Sequence, residues 1–419
     1  MYQPSVSKEE KAILRDLAKR YSEAASNPRM EKIKKRMIEN NSLIPGRPQV
    51  LIFEIPWHEM DIEGKLKRLC VSEWAKSMEI FFRRSLFQQE YFPVDMYLEN
   101  LWIIQKAYSS TGNGLETVEE QLVVDSSNNI LSHRYIDQLE NEEDVEKFRM
   151  PEVLAFPEKD EENIELAREV LDGILDVELR GHDIYHPPWD NIARYRGVNA
   201  ILYDLSDRPD HLHAIMEHYT QSAMSGLEQM QRLGLLECKN PYLHCTPALT
   251  SELPASDHAE GEPYRFKDVW FRSMAQMFSE VSPAMLDEFD LQYGQRLGNE
   301  CGLTYYGCCE PLDRKISALE KRFNNLRKIG VSPWANEESS AEQIGSNYVY
   351  ARKPNPSLVA LKADPEAIRA ETKKTVEICL KYGCPYELVL KDISTVSYRP
   401  ENLIIWAKTV METLDEHYA

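Results

Sequence analysis

A parallel (β/α)8 barrel of the TIM type, preceded by an N-terminal helical extension, is the fold class this chain predicts. Three observations carry that expectation. Short apolar runs alternate with amphipathic helical stretches over most of the 419 residues. Eight such runs can be counted. The residues able to do chemistry gather just after the runs rather than within them. Strict alternation implies a parallel sheet, because each return crossing needs a helix. Eight units close into a barrel, whose chemistry sits in the loops at the C-terminal ends of its strands. An open, doubly wound sheet is the alternative, but neither a GxGxxG nor a Walker-type loop opens any helix.

The elements read as follows. Residues 1–45 form the extension, with Leu14, Leu17 and Tyr21 at helical spacing and Pro28 starting a second helix. Residues 46–419 form the barrel. Its strands are expected at 48–56, 94–104, 176–181, 235–245, 303–310, 329–334, 347–355 and 387–392. Helices are expected at 62–87, 160–173, 208–233, 265–279, 283–299, 311–327, 365–382 and 400–416. Polar, irregular residues around 105–160 read as an insertion.

The strand ends carry Glu54, Trp57, His58, Glu99, His182, Tyr185, His186, His244, Cys245, Tyr306, Cys308, Cys309, Glu310, Trp334, Arg352, Lys353, Lys391 and Asp392. Alternation along a strand puts neighbours on opposite faces. It therefore predicts one inward side chain from each of the pairs His244/Cys245 and Cys308/Cys309. The eight cysteines contain no CxxC pair and are expected as thiols. A net charge of −20 without a basic cluster argues against nucleic-acid binding. No apolar run approaches the ~20 residues of a membrane span. The charged N-terminus lacks a signal-peptide core, so a cytoplasmic protein is expected.

Three segments resemble the uroporphyrinogen decarboxylase-like superfamily. SPAMLDEFDLQYGQRLGNECGLTYYGCCEPLD is similar to its fifth-strand region, RKPNPSLV to its seventh, and YRPENLIIWAKTV to its closing helix. The arginine-rich first-strand signature of the decarboxylase is replaced by LIFEIPWHEM, which leaves a polycarboxylate porphyrinogen without an anchor. The resemblance therefore points to the corrinoid-dependent methyltransferases. Thiol-methylating members carry His-x-Cys on the fifth strand and a cysteine near the eighth. Here Tyr306-Gly-Cys308 and Lys391-Asp392 stand there instead. Glu146, Glu161 and His182 reproduce the Glu-x14-Glu-x20-His zinc pattern of ether-cleaving demethylases.

The resemblance thus implies a methyltransferase of an O-demethylase system. Such an enzyme demethylates an aryl methyl ether, a methoxylated phenol, and passes the methyl group to cob(I)alamin on a corrinoid partner protein. A methylamine- or thiol-linked methyltransferase, or a decarboxylase, is the alternative. A phenolate leaves poorly, so an acid or a Lewis acid is required at the ether oxygen. His182, His186, Tyr306 and Glu310 are the expected catalytic residues. Tyr185, Trp189, Tyr305 and Trp334 are expected around the aromatic ring. Zinc ligands are expected among Glu146, Glu161, His182, His244 and Cys308. A homodimer is an expected assembly.

Overall fold

The structure, a computed structural model, describes residues 5–122 and 132–418. Its centre is a ring-ordered set of parallel strands. These are β1 (Gln49–Ile52), β2 (Leu101–Gln105), β3 (Asp176–Arg180), β4 (Ile184–His186), β5 (Trp270–Ser273), β6 (Leu303–Tyr306), β7 (Leu326–Val331), β8 (Val349–Arg352) and β9 (Tyr386–Leu390). Seven of them form one sheet in the order β1-β9-β8-β7-β6-β5-β4. β3 and β4 are successive halves of one barrel strand, broken at residues 181–183. The lower half pairs with β2 and the upper half with β5. That makes eight barrel positions. Between β1 and β2 there is no ladder. The Asp95 N–H donates to the Val50 carbonyl at 2.7 Å, and the Val50 N–H donates to the Asp95 carboxylate at 3.1 Å.

Side chains alternate across the sheet as a pleat requires. Leu51, Val389, Trp270, Leu303, Tyr305 and Ala351 pack inside the ring. Val50, Ile52, Phe271, Tyr306, Ile329 and Tyr350 pack outward against the helices. The interior is filled, as in other barrels of this size.

The count of eight strands holds, but one member differs. The expected strand at 235–245 contributes only a bridge, Leu236 with His182, and a hairpin at Tyr242–Leu243 and Thr246–Pro247. The fourth barrel position belongs to β5, inside the stretch expected as a helix at 265–279. Its residues WFRS are all buried, and an apolar run of this length does not separate strand from helix. The expected helix at 62–87 begins later, at Glu73–Tyr91, which leaves 61–72 as a loop. Within the stretch read as an insertion, Tyr108–Ser110 pairs with Val153–Ala155, and Glu119–Leu122 pairs with Ser132–Tyr135, both antiparallel.

The first two helices, α1 (Lys8–Ala25) and α2 (Arg29–Asn41), build a second core. Leu14, Leu17 and Tyr21 meet Phe82 and Leu171 there. Ser7 and Glu10 form a capping box at the start of α1. Glu10 also accepts the N–H groups of Val71 and Ser72, both at 2.8 Å. One carboxylate therefore orders two helix starts. Those bonds, led by the one from Ser72, pull the Glu10 carboxyl down to about 2. No helix among the described residues is long and apolar enough to cross a membrane.

Candidate active site

Four separate parts of the chain converge at the C-terminal end of the barrel. They are the end of β1 at Glu54, the hairpin turn at His244 and Cys245, the turn after β6 at Cys308 and Cys309, and the end of β9 at Lys391 and Asp392. Glu54, Cys245 and Asp392 have positive φ angles of 50°, 57° and 56°. A non-glycine residue in that region costs roughly 1–3 kcal/mol and persists only where its surroundings enforce it. Here they do. The Asp392 N–H donates to Glu54 Oε2 at 2.8 Å, and Lys353 Nζ donates to the Cys245 carbonyl at 2.9 Å.

Gly307 delivers the cysteines. Its φ is 104°, and a Cβ there would stand 2.4 Å from Leu312 Cδ1 and 3.2 Å from the Gly330 nitrogen. Gly307 breaks the strand alternation, so Cys308 and Cys309 both reach Lys391. Lys391 Nζ lies 2.8 Å from Cys308 Sγ and 3.5 Å from Cys309 Sγ. The same ammonium is 3.2 Å from Asp392 Oδ2 and 3.9 Å from Glu54 Oε2. Cys309 faces two acceptors, Asp392 Oδ2 at 2.7 Å and Cys308 Sγ at 3.6 Å. The Cys309 hydrogen bond, His244, and the cations Arg272 and Lys391 hold the Cys308 thiol well below its ordinary range, against the effect of burial. Burial disfavours the Lys391 charge, but Cys308, Cys245 and Cys309 outweigh it and raise its pKa.

Beside this pair lies a group able to hold a metal. Donor atoms of Glu54, His244 and Cys245 all fall within 4.8 Å of one another. His244 Nε2 is 3.6 Å from Glu54 Oε1, and the Cys245 thiol donates to the same oxygen at 3.4 Å. One oxygen, one nitrogen and one sulfur donor are a set compatible with zinc in a catalytic site. Alternation does not separate His244 from Cys245 either, because they occupy a turn rather than a strand. The hairpin is anchored from below. Lys328 Nζ donates to Thr246 Oγ1 at 2.7 Å, to the Pro247 carbonyl at 2.9 Å and to Glu387 Oε2 at 2.8 Å.

Under the cysteines, the Arg272 guanidinium lies 4.4 Å over the Tyr305 ring and 5.6 Å over the Tyr185 ring. The buried Tyr305 hydroxyl has no hydrogen-bond partner among the described residues. Two clefts flank the cluster. One of 1140 Å³ is walled by Glu54, Trp57, Arg84 and Asp392, and one of 660 Å³ by Tyr108, His182, Tyr185 and His244.

The residues expected from sequence divide as follows. His244, Cys308, Tyr185 and Tyr305 lie in or against the cluster. Tyr306, His186 and Trp189 face the helix layer, because each follows the alternation of its strand or sits on the helix beyond it. Tyr306 donates to Asp290 Oδ2 at 2.7 Å. His186 packs against Tyr219 and Phe271, and Trp189 packs at a tilt against Phe278. Glu310 is buried and accepts the N–H groups of Ala275 at 3.1 Å and Cys308 at 2.9 Å, so it positions the cysteine turn. Trp334 is 71% exposed on the loop after β7. His182 walls the smaller cleft, with Nε2 2.7 Å from the Lys106 carbonyl. Glu146 and Glu161 are exposed, and the three residues of the spacing pattern do not form a donor group. Glu54, Cys245 and Lys391 stood among the strand-end residues without an assigned role. Arg272 was hidden by the helix expected over β5.

No family model matches the chain, and no curated protein matches it. Among solved structures, it is similar to a methyltransferase from Methanosarcina mazei. That match has 14% identity and a TM-score of 0.48, and covers 92% of this chain and 99% of that one.

Proposed function

We propose that this chain is the methyltransferase of an O-demethylase system, taking the methyl group of an aryl methyl ether for transfer to the cob(I)alamin of a corrinoid protein. The observation that carries the reading is the convergence of Glu54, His244 and Cys245 on one point, beside Cys308 and Lys391. The order of the three resembling segments along the chain supports it.

Glu54, His244 and Cys245 are the residues that would hold zinc, with Cys308 as the adjacent fourth donor. Bound there, zinc supplies Lewis acidity for the departing phenolate oxygen. The chain's own residues account for the rest. Tyr185 and Tyr305 offer ring faces to an aromatic substrate. Lys391 and Arg272 place positive charge where negative charge develops. The Tyr305 hydroxyl, which burial keeps protonated, is an unused donor within the same wall.

The test is an anoxic assay with 2-methoxyphenol, a corrinoid protein and a reductant, read by the visible spectrum of methylcobalamin, alongside zinc analysis. Wild type is expected to bind zinc and transfer methyl groups. His244→Ala and Cys245→Ser, each removing a ligand, are expected to lose zinc binding and methyl transfer. Absence of methyl transfer from every methoxyarene tried, with cob(I)alamin verified, would overturn the proposal. A thiol-linked methyltransferase is the second reading, favoured by the two thiols Cys245 and Cys308 close to His244. Its signature in the same assay is methyl transfer to or from an added thiol and none from the ether.

A further inference from the structure

The larger cleft is lined by both signs of charge. Its carboxylates are Glu54 and Asp392, both part of the cluster, and Asp61. Its cations are Lys67 and Arg68 from the loop 61–72, and Arg83 and Arg84 from the helix Glu73–Tyr91. In a protein of net charge −20, four cations in one cleft wall call for an explanation.

Their bonding separates them. Arg83 is committed: its Nε donates to Glu79 at 2.7 Å and its Nη1 to the Lys65 carbonyl at 3.2 Å. Arg84 lies 5.0 Å over the Trp57 ring, which uses the face of the guanidinium and leaves its N–H fork free. Among the described residues, neither Arg68 nor Arg84 has a carboxylate or a hydrogen-bond acceptor on its guanidinium. The two are also close enough for Arg68 to disfavour the Arg84 charge, adding to the effect of burial. Arg68 acts on the exposed Glu73 only from a distance, and two neighbouring guanidinium groups with no carboxylate in contact are a standing cost that a bound anion removes.

We infer that this wall is an oxyanion subsite, in which Arg68 and Arg84 take a carboxylate or phosphate group of a ligand. The Trp57 ring offers an apolar surface beside Arg84, and Glu54 and Asp392 line the same cleft. A ligand fixed by its anionic end would present its far end to the cluster. The inference deepens the function proposed above and rests on it for the identity of that far end, an aryl methyl ether. The oxyanion subsite itself rests on the cleft alone.

Titration calorimetry at low salt tests it with four probes: 4-methoxybenzoate, 4-methoxyphenyl phosphate, inorganic phosphate and uncharged methoxybenzene. Each is added to the full chain and to Arg68→Gln and Arg84→Gln. One or both charged aryl probes are expected to bind at least about tenfold more tightly than methoxybenzene, since one charge-assisted hydrogen bond corresponds to that factor. The stronger of the two identifies the oxyanion. Either glutamine variant should remove most of the preference while methoxybenzene binding stays unchanged, and added salt should weaken only the charged probes. Inorganic phosphate should compete with the charged probes. Equal affinity for charged and uncharged probes, or unchanged preference in both variants with wild-type circular dichroism, overturns the inference. Charge-selective binding without methyl transfer would leave the subsite standing and remove the demethylase reading. Methyl transfer indifferent to the ligand's charge would do the reverse.

Discussion

Cys308 meets Lys391 only because Gly307 precedes it. At a φ of 104° any side chain is strained, and a Cβ would press on Leu312 and on the Gly330 backbone. Gly307→Ala is therefore expected to lose roughly 1–3 kcal/mol of stability in urea unfolding. It should also lose activity beyond what partial unfolding explains, because the turn would reset both cysteines. Gly330→Ala should behave in the same direction, since its Cβ would lie 2.8 Å from the Gly307 carbonyl carbon. At this scale the sequence is informative about which residue types are present and poor about where they point. YYGCCE announces reactive side chains at a strand end. The rule that neighbours alternate holds for Tyr305 and Tyr306 on β6, and it ends at Gly307. It fails in the same way at His244 and Cys245, where the chain turns instead of extending.

At the scale of elements, Glu10 shows how a helix start can be built from distant parts of the chain. It closes the capping box of α1 and accepts two further N–H groups at the start of Glu73–Tyr91. Glu10→Gln keeps the shape and removes the charge. It is expected to cost roughly 1–3 kcal/mol, the range for hydrogen bonds to a charged group. The folded pKa lies below the ordinary value of 4.5, so the stabilisation is complete above that pH. It is lost as the pH falls towards about 2. Comparing acid unfolding of the variant and wild type checks this, and the variant should lack that part of the slope. Helices with strong local signals, such as Pro209–Arg232 and Pro365–Tyr382, matched their sequence expectation closely. β5 did not. Four buried residues carry no period of their own, and only pairing with β4 and β6 makes them a strand.

Across the whole molecule, the barrel separates two buried environments. The interior holds Lys328, Glu387, Lys353 and Arg272, which are paired with one another, with backbone carbonyls or with ring faces, and Lys391, which is paired with Cys308 and Asp392. The outer layer is apolar, and His186 is buried in it with its pKa pushed down to about 4 by desolvation. The unfolded chain therefore takes up that proton first. Stability should be full above pH 6.5 and fall as the pH drops towards about 4. The total loss is about 3 kcal/mol at ~1.4 kcal/mol per unit. Denaturant midpoints measured across that window should show the slope in wild type and not in His186→Phe.

The sequence by itself determined the fold class, the number of barrel positions, the two N-terminal helices and the end of the barrel where reactive side chains gather. Those properties follow from local patterns of apolar residues and breakers, which every segment carries with it. Only the tertiary structure decided which strand ends meet. Glu54, Cys245, Cys308 and Lys391 are drawn together by ring closure, by three left-handed backbone positions and by a hairpin held from below by Lys328. Spacing along the chain does not encode that convergence. For this reason Glu146, Glu161 and His182 keep their sequence interval without forming a donor group among the described residues, while Arg68 and Arg84 line a cleft that no motif announces.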